Sequence, residues 1–144
     1  MKKILFVASE CVPFVKTGGL ADVVGALRFI PAKWKERMQF VTSFYMDMAW
    51  RSQYVGIMEM EYAGIHYYFI DNEYYFNGDK PYGYIHEDVE KFAFFSRAAL
   101  SILPVVGYQP DIIHCHDWQT GLVPVYLKDS FHEGGFYSNM KSVM

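Results

Sequence analysis

Positive charge is in short supply in this sequence. Thirteen Lys and Arg stand against 16 Asp and Glu, a net charge of −3. Nucleic-acid binding depends on clustered cations that neutralise phosphates. The densest group here, Lys33, Lys35 and Arg37, is broken by Trp34 and Glu36. The same shortage leaves no polybasic patch for an anionic membrane surface. Cysteine is scarce as well: Cys11 and Cys115 cannot make a disulfide framework. Long apolar runs are missing. Residues 4–8 are too short for the core of a signal peptide and are soon followed by Glu10. The longest apolar helix candidate, residues 92–106, contains Arg97 and Pro104 and cannot span a bilayer. Repeats and low-complexity tracts are lacking too. These absences point to a soluble, cytoplasmic protein with neither nucleic acid nor membrane as partner.

What the sequence does contain is apolar and aromatic. Of 144 residues, 52% are hydrophobic and 19% aromatic, enough to close a core without staples. The aromatic excess fits either an aromatic-rich core or a binding surface that uses the flat face and polar tip of Tyr.

Residues 4–8 (ILFVA) form an uninterrupted apolar run, which predicts a strand buried on both faces of a parallel sheet. A loop ends in Lys16-Thr17-Gly18-Gly19, and Leu20, Val23, Val24 and Leu27 then give a helical stripe. Strand, glycine-bearing loop and helix are the first half of a βαβ unit. Pro31 ends that helix or opens a short one through Lys33 and Arg37. Residues 38–48 alternate with period two, and residues 54–70 read as a hairpin turning at Ala63-Gly64. Residues 71–84 form a loop. A helix begins near Glu87 or Asp88 and ends at Pro104 and Gly107. Ile112 to Cys115 is a second short buried strand. A turn over residues 116–119 follows, then a helix over 120–128 in which Pro124 fits only the first turn. Residues 141–144 look like the start of another strand. The fold class is therefore α/β, with an open, mostly parallel sheet and an antiparallel hairpin.

Two turns stand where chemistry is expected, beyond the carboxyl ends of buried strands. In the first, paired glycines let backbone approach an anion, a lysine adds charge, and a helix N-terminus supplies free N–H groups. Neither GxGxxG nor GxxxxGK[ST] is present, and glycines that merely punctuate a loop account for the same residues. In the second, Asp117 and Trp118 combine a carboxylate with an aromatic plane on which a sugar ring can stack. Packing of Trp118 at the sheet edge, with Asp117 capping the next helix, explains them equally. His114 and His116 share one face of a strand, but zinc needs three or four ligands and no further one can be placed, so no metal is expected.

The stretches KILFVASECVPFVKTGGLADVVGAL, FIDNEYYF, KFAFFSRAAL and PDIIHCHDWQTGLVPVYLK together resemble the N-terminal catalytic lobe of bacterial glycogen synthases and plant starch synthases. The resemblance covers residues 1–144. It implies a Rossmann-like lobe of a two-lobe GT-B glycosyltransferase that extends an α-1,4-glucan (glycogen or starch) from ADP-glucose with retention of configuration. By the same resemblance Lys16, Gly18, Gly19 and Asp22 bind ADP-glucose, Asp117 is the catalytic carboxylate, and Trp118 faces sugar. Tyr75, with Tyr74 and Phe76, either faces the sugar as well or belongs to a packed loop, two equally good accounts. No cofactor is implied beyond the donor itself. The pattern departs from the family near residues 27–30, where a helix end, a loop and a strand are missing. The family also continues past this sequence with a second lobe, so the chain alone is expected to be inactive. The rival readings are a non-catalytic or vestigial glucan-binding domain and a related transferase with another nucleotide-sugar donor.

Overall fold

The computed structural model describes residues 1–14, 31–49, 51–77 and 81–144. The elements run β1 (Ile4–Val7), α1 (Ala32–Lys35), β2 (Gln39–Asp47), β3 (Ser52–Tyr62), β4 (Ile65–Asp71), α2 (Ile85–Val105), β5 (Ile112–Cys115), a 3₁₀ turn (Trp118–Thr120), α3 (Leu122–Asp129) and β6 (Lys141–Val143). The helix expected over residues 20–27 lies outside the described residues.

The strands form two sheets. One is parallel, in the order β1-β5-β6, and the other antiparallel, in the order β2-β3-β4. The parallel and antiparallel characters read from the sequence are both present, each in a sheet of its own. In the antiparallel sheet Tyr62 pairs with Ile65 across a two-residue turn. Both turn residues have positive φ, 52° at Ala63 and 76° at Gly64. This is the primed turn that matches strand twist. Glycine reaches such a φ freely, whereas Ala63 is held there at a cost.

Helix α2 packs against both sheets and joins them. Its buried Phe92, Phe94, Phe95, Leu100 and Leu103 share one core with Val7, Ile113 and Cys115 of the parallel sheet and Val55, Ile57 and Ile70 of the antiparallel one. The helix starts slightly before Glu87 because Glu87 and Asp88 fall in its first turn, where carboxylates favour the dipole. It runs through Pro104 rather than stopping there. Proline lacks the N–H that would bond the carbonyl four residues back. That carbonyl belongs to Leu100, and the Tyr137 hydroxyl donates to it at 2.9 Å. Helix termination falls instead to Gly107, at φ 67°, and to Tyr108, whose N–H donates to the Leu103 carbonyl at 3.0 Å. Together these form a Schellman end.

The far face of the antiparallel sheet is covered by an aromatic hub. Phe14 meets Trp34, Tyr62, Tyr67 and Phe69 with ring centroids 5.0–6.0 Å apart. Much of the aromatic content is thus core, and β3 and β4 carry buried side chains on both faces.

One expectation fails. Strand β1 is not buried on both faces, since Ile4 is 44% and Phe6 40% exposed. Leu5 and Val7 point to the α2 side, in register with Ile113 and Cys115. Ile4 and Phe6 point to the other, where Phe6 meets the rings of His114 and His116. An unbroken apolar run therefore alternates in burial, because among the described residues the packed core lies on the Leu5 and Val7 side of the strand.

Candidate functional site

Parallel pairing places the carboxyl ends of β1 and β5 side by side. Strand β1 lies against β5 with Val7 opposite Cys115, and the His116 N–H donates to the Val7 carbonyl at 3.0 Å. Both strands therefore end at one rim. Ser9 and Glu10 leave it from β1, Asp117 and Trp118 from β5. Of the residues expected to bind the donor, Lys16, Gly18, Gly19 and Asp22 lie outside the described residues.

Asp117 sits at φ 64°, ψ 178°. A non-glycine residue in that region is strained, and such strain recurs where a side chain must be aimed. Its carboxylate accepts the Trp118 N–H at 2.7 Å. Its carbonyl accepts both the N–H and the hydroxyl of Thr120, each at 3.1 Å. The residue caps the 3₁₀ turn and remains exposed. The capping expected of Asp117 is thus present, on an exposed side chain.

Trp118 is 48% exposed. One edge of its surroundings is fixed by Phe92 of α2, whose ring meets it edge-on at 5.2 Å. A half-exposed indole backed by a phenyl ring offers a flat apolar surface with little freedom to move.

Tyr75 is placed in the core rather than at the rim. Only 6% of it is exposed. Its ring stacks on Phe94 at 4.5 Å, and its hydroxyl donates to Glu90 at 2.8 Å. Its neighbour Tyr74 is at the surface, under the Arg51 guanidinium.

A residue not singled out from sequence joins the rim. The Tyr82 hydroxyl is 2.8 Å from the Ser9 hydroxyl. Burial pushes its phenol up, and the neighbouring Glu10 carboxylate and the Asp117 charge push it the same way. Tyr82 is thus tied to the end of β1 through Ser9. A buried ion pair holds its loop: Lys91 Nζ donates to Asp88 at 2.8 Å and to the Pro81 carbonyl at 3.0 Å. The Asp88 carboxylate also accepts the Gly83 N–H, at 2.9 Å at its nearer oxygen. Pro81-Tyr82-Gly83 marks a turn before the helix, but nothing local ties Tyr82 to Ser9, 73 positions away.

The histidines behave differently. His114 and His116 stack at 4.3 Å on the outer face of β5. Among the described residues no group of three or more His, Cys, Asp or Glu is gathered as a metal would require. Burial pushes the Cys115 thiol up to about 11, which keeps it protonated at neutral pH. Among the described residues, no helix is long and apolar enough to cross a membrane.

The rim therefore offers a strained carboxylate, a backed indole and a clamped phenol at the ends of two adjacent parallel strands. The family described as the starch synthase catalytic domain matches residues 3–144. The glycogen synthase of Lachnospira eligens is 57% identical over 162 aligned positions, covering 100% of this chain and 34% of that protein. That of Lachnoclostridium phytofermentans is 59% identical with the same coverage. The chain thus spans about a third of the length of these relatives. Among solved structures it is similar to the catalytic domain of starch synthase IV from Arabidopsis thaliana, bound there to ADP and acarbose. The TM-score is 0.83 at 26% identity, over 98% of this chain and 33% of that one.

Proposed function

The chain belongs to the family of starch synthase catalytic domains, and from that premise we propose that it is the N-terminal part of a glucosyltransferase. The enzyme would transfer glucose from ADP-glucose to an α-1,4-glucan with retention of configuration. The observation that carries this reading is the shared rim, where β1 and β5 end together and an exposed Asp117 and Trp118 follow β5.

In the proposed reaction a diphosphate departs as the sugar develops positive charge, so both must be stabilised where the charge appears. Lys16, Gly18 and Gly19 take the diphosphate, with Asp22 beside them. Asp117 serves the reacting sugar, and Trp118 offers its face to a glucose ring. ADP in the Arabidopsis neighbour supports an adenine donor. The donor is itself the activated species, so the transfer draws on no separate cofactor.

Kinetics of the full-length protein test the division of roles. Lys16→Ala is expected to cut kcat/KM for ADP-glucose by at least ten-fold, on the scale of one charge-assisted phosphate contact. Trp118→Ala is expected to raise the KM for glycogen with a smaller effect on the donor. ADP release by residues 1–144 with ADP-glucose and glycogen is expected to be nil. Retardation of the full-length protein by glycogen in affinity electrophoresis, without calorimetric binding of ADP-glucose, would instead identify a glucan-binding module.

A further inference from the structure

Two opposite charges are buried in the first turns of α2. Asp88 and Lys91 are both closed off from solvent, and Lys91 Nζ donates to the Asp88 carboxylate at 2.8 Å. As a source of stability such a pair is poor. Withdrawing two charges from water offsets most of their attraction, and apolar side chains in the same place often do as well or better. What this pair holds is specific. The Pro81 carbonyl accepts from Lys91 at 3.0 Å, and the Gly83 N–H donates to Asp88 at 2.9 Å. The two charges therefore grip the backbone on each side of Tyr82, and apolar side chains could grip neither group.

From Tyr82 the contacts lead to the rim in two directions. Its hydroxyl lies 2.8 Å from that of Ser9, next to the buried Glu10 carboxylate. Its ring lies 5.8 Å from Phe92, and Phe92 in turn meets Trp118 edge-on at 5.2 Å. We propose, on the reading that this rim serves glucosyl transfer, that Asp88 and Lys91 are positioning residues for that reaction. They fix Tyr82, and through it the end of β1 and the ring that backs Trp118. Being buried, they act through Tyr82 rather than on the sugar. A group displaced by about 1 Å at a reacting centre can lower the rate by about a hundred-fold. Binding of the donor diphosphate, read onto Lys16, Gly18 and Gly19, is left to other residues and is expected to be spared.

Kinetics and unfolding of the full-length protein test this. Asp88→Leu combined with Lys91→Met removes both charges together. The urea midpoint of the double variant is expected to stay within about a tenth of the parental value. Its kcat for ADP release with glycogen is expected to fall by about ten-fold or more, with KM for ADP-glucose within about two-fold. Lys91→Arg keeps the cation and several donors, and is expected to retain kcat within about three-fold. A double variant with undiminished kcat, an equal loss in Lys91→Arg, or a rise in KM for ADP-glucose as large as the loss in kcat would overturn the proposal. If the double variant does not fold, Lys91→Gln, which keeps a donor without the charge, is measured in its place. Crystal structures give a readout that does not depend on the reaction. In the variant the Tyr82 hydroxyl is expected to leave Ser9, and a contact retained at hydrogen-bond distance would overturn the proposal. Absence of ADP release by the parental protein would instead sink the reading of the rim, and that contact alone would then decide whether Asp88 and Lys91 position Tyr82.

Discussion

The two sheets assemble in opposite ways. The antiparallel strands have 9, 11 and 7 residues and follow one another in sequence, the last two joined by a two-residue turn. The parallel strands have 4, 4 and 3 residues. Beside them, Lys3 donates to an Asp111 carboxylate 108 positions away. Long local strands hold themselves in register; short distant ones depend on what packs against them. The candidate chemistry sits on the second kind. The rim is positioned by the neighbours of β1 and β5, chiefly α2 and its clamp, rather than by the strands' own hydrogen bonds.

The most severe test of that contrast is Phe94→Ala. Phe94 is fully buried in α2 and stacked on Tyr75. The substitution is expected to cost about 3–5 kcal/mol, read as a fall in the urea midpoint. Amides of both sheets are expected to exchange together; melting of one sheet before the other would show that α2 does not unite them. Asp88→Ala strands the Lys91 charge and the Gly83 N–H, and is expected to cost about 3 kcal/mol. It should free the Gly83 amide to exchange while the β3–β4 turn stays protected. Tyr137→Phe leaves the Leu100 carbonyl without its donor and is expected to cost about 1–2 kcal/mol in thermal or chemical unfolding. Smallest is a gain: Ala63→Asn puts a residue tolerant of positive φ beside Gly64 and is expected to add about 0.5–1 kcal/mol to the unfolding free energy. A loss instead would mean that the turn contributes little to the register of β3 and β4.

The sequence was most legible where one signal settles one element. Ile112 to Cys115 is bounded by Pro110 and the His116 turn, and β5 falls on those four residues. Ala63-Gly64 marks the hairpin because a two-residue link between alternating strands admits few backbone conformations. Pro124 fixes the start of α3 within a turn. Burial was less legible: residues 4–8 are uniformly apolar, and nothing in them says that only Leu5 and Val7 are covered. The turn carrying Asp117 and Trp118 was readable from its place after a buried strand. Tyr75 and Tyr82 were not, because they lie in one tyrosine-rich loop. What sends the first into the core and the second to the rim is distant: Glu90 and Phe94 for Tyr75, Ser9 for Tyr82. Pairings of that kind are decided by the tertiary arrangement, and local residue patterns carry no trace of them.

The pairing of β1 with β5 also sets a clock on biosynthesis. At about 5–20 residues per second, a ribosome needs on the order of 5–20 s to go from β1 to β5. Throughout that interval the nascent Ile4-Leu5-Phe6-Val7 segment has no native partner, while β2, β3 and β4 emerge and can zip up on their own. Chaperone contact during translation is therefore expected to concentrate at the amino terminus of the chain and to end once Cys115 has left the exit tunnel.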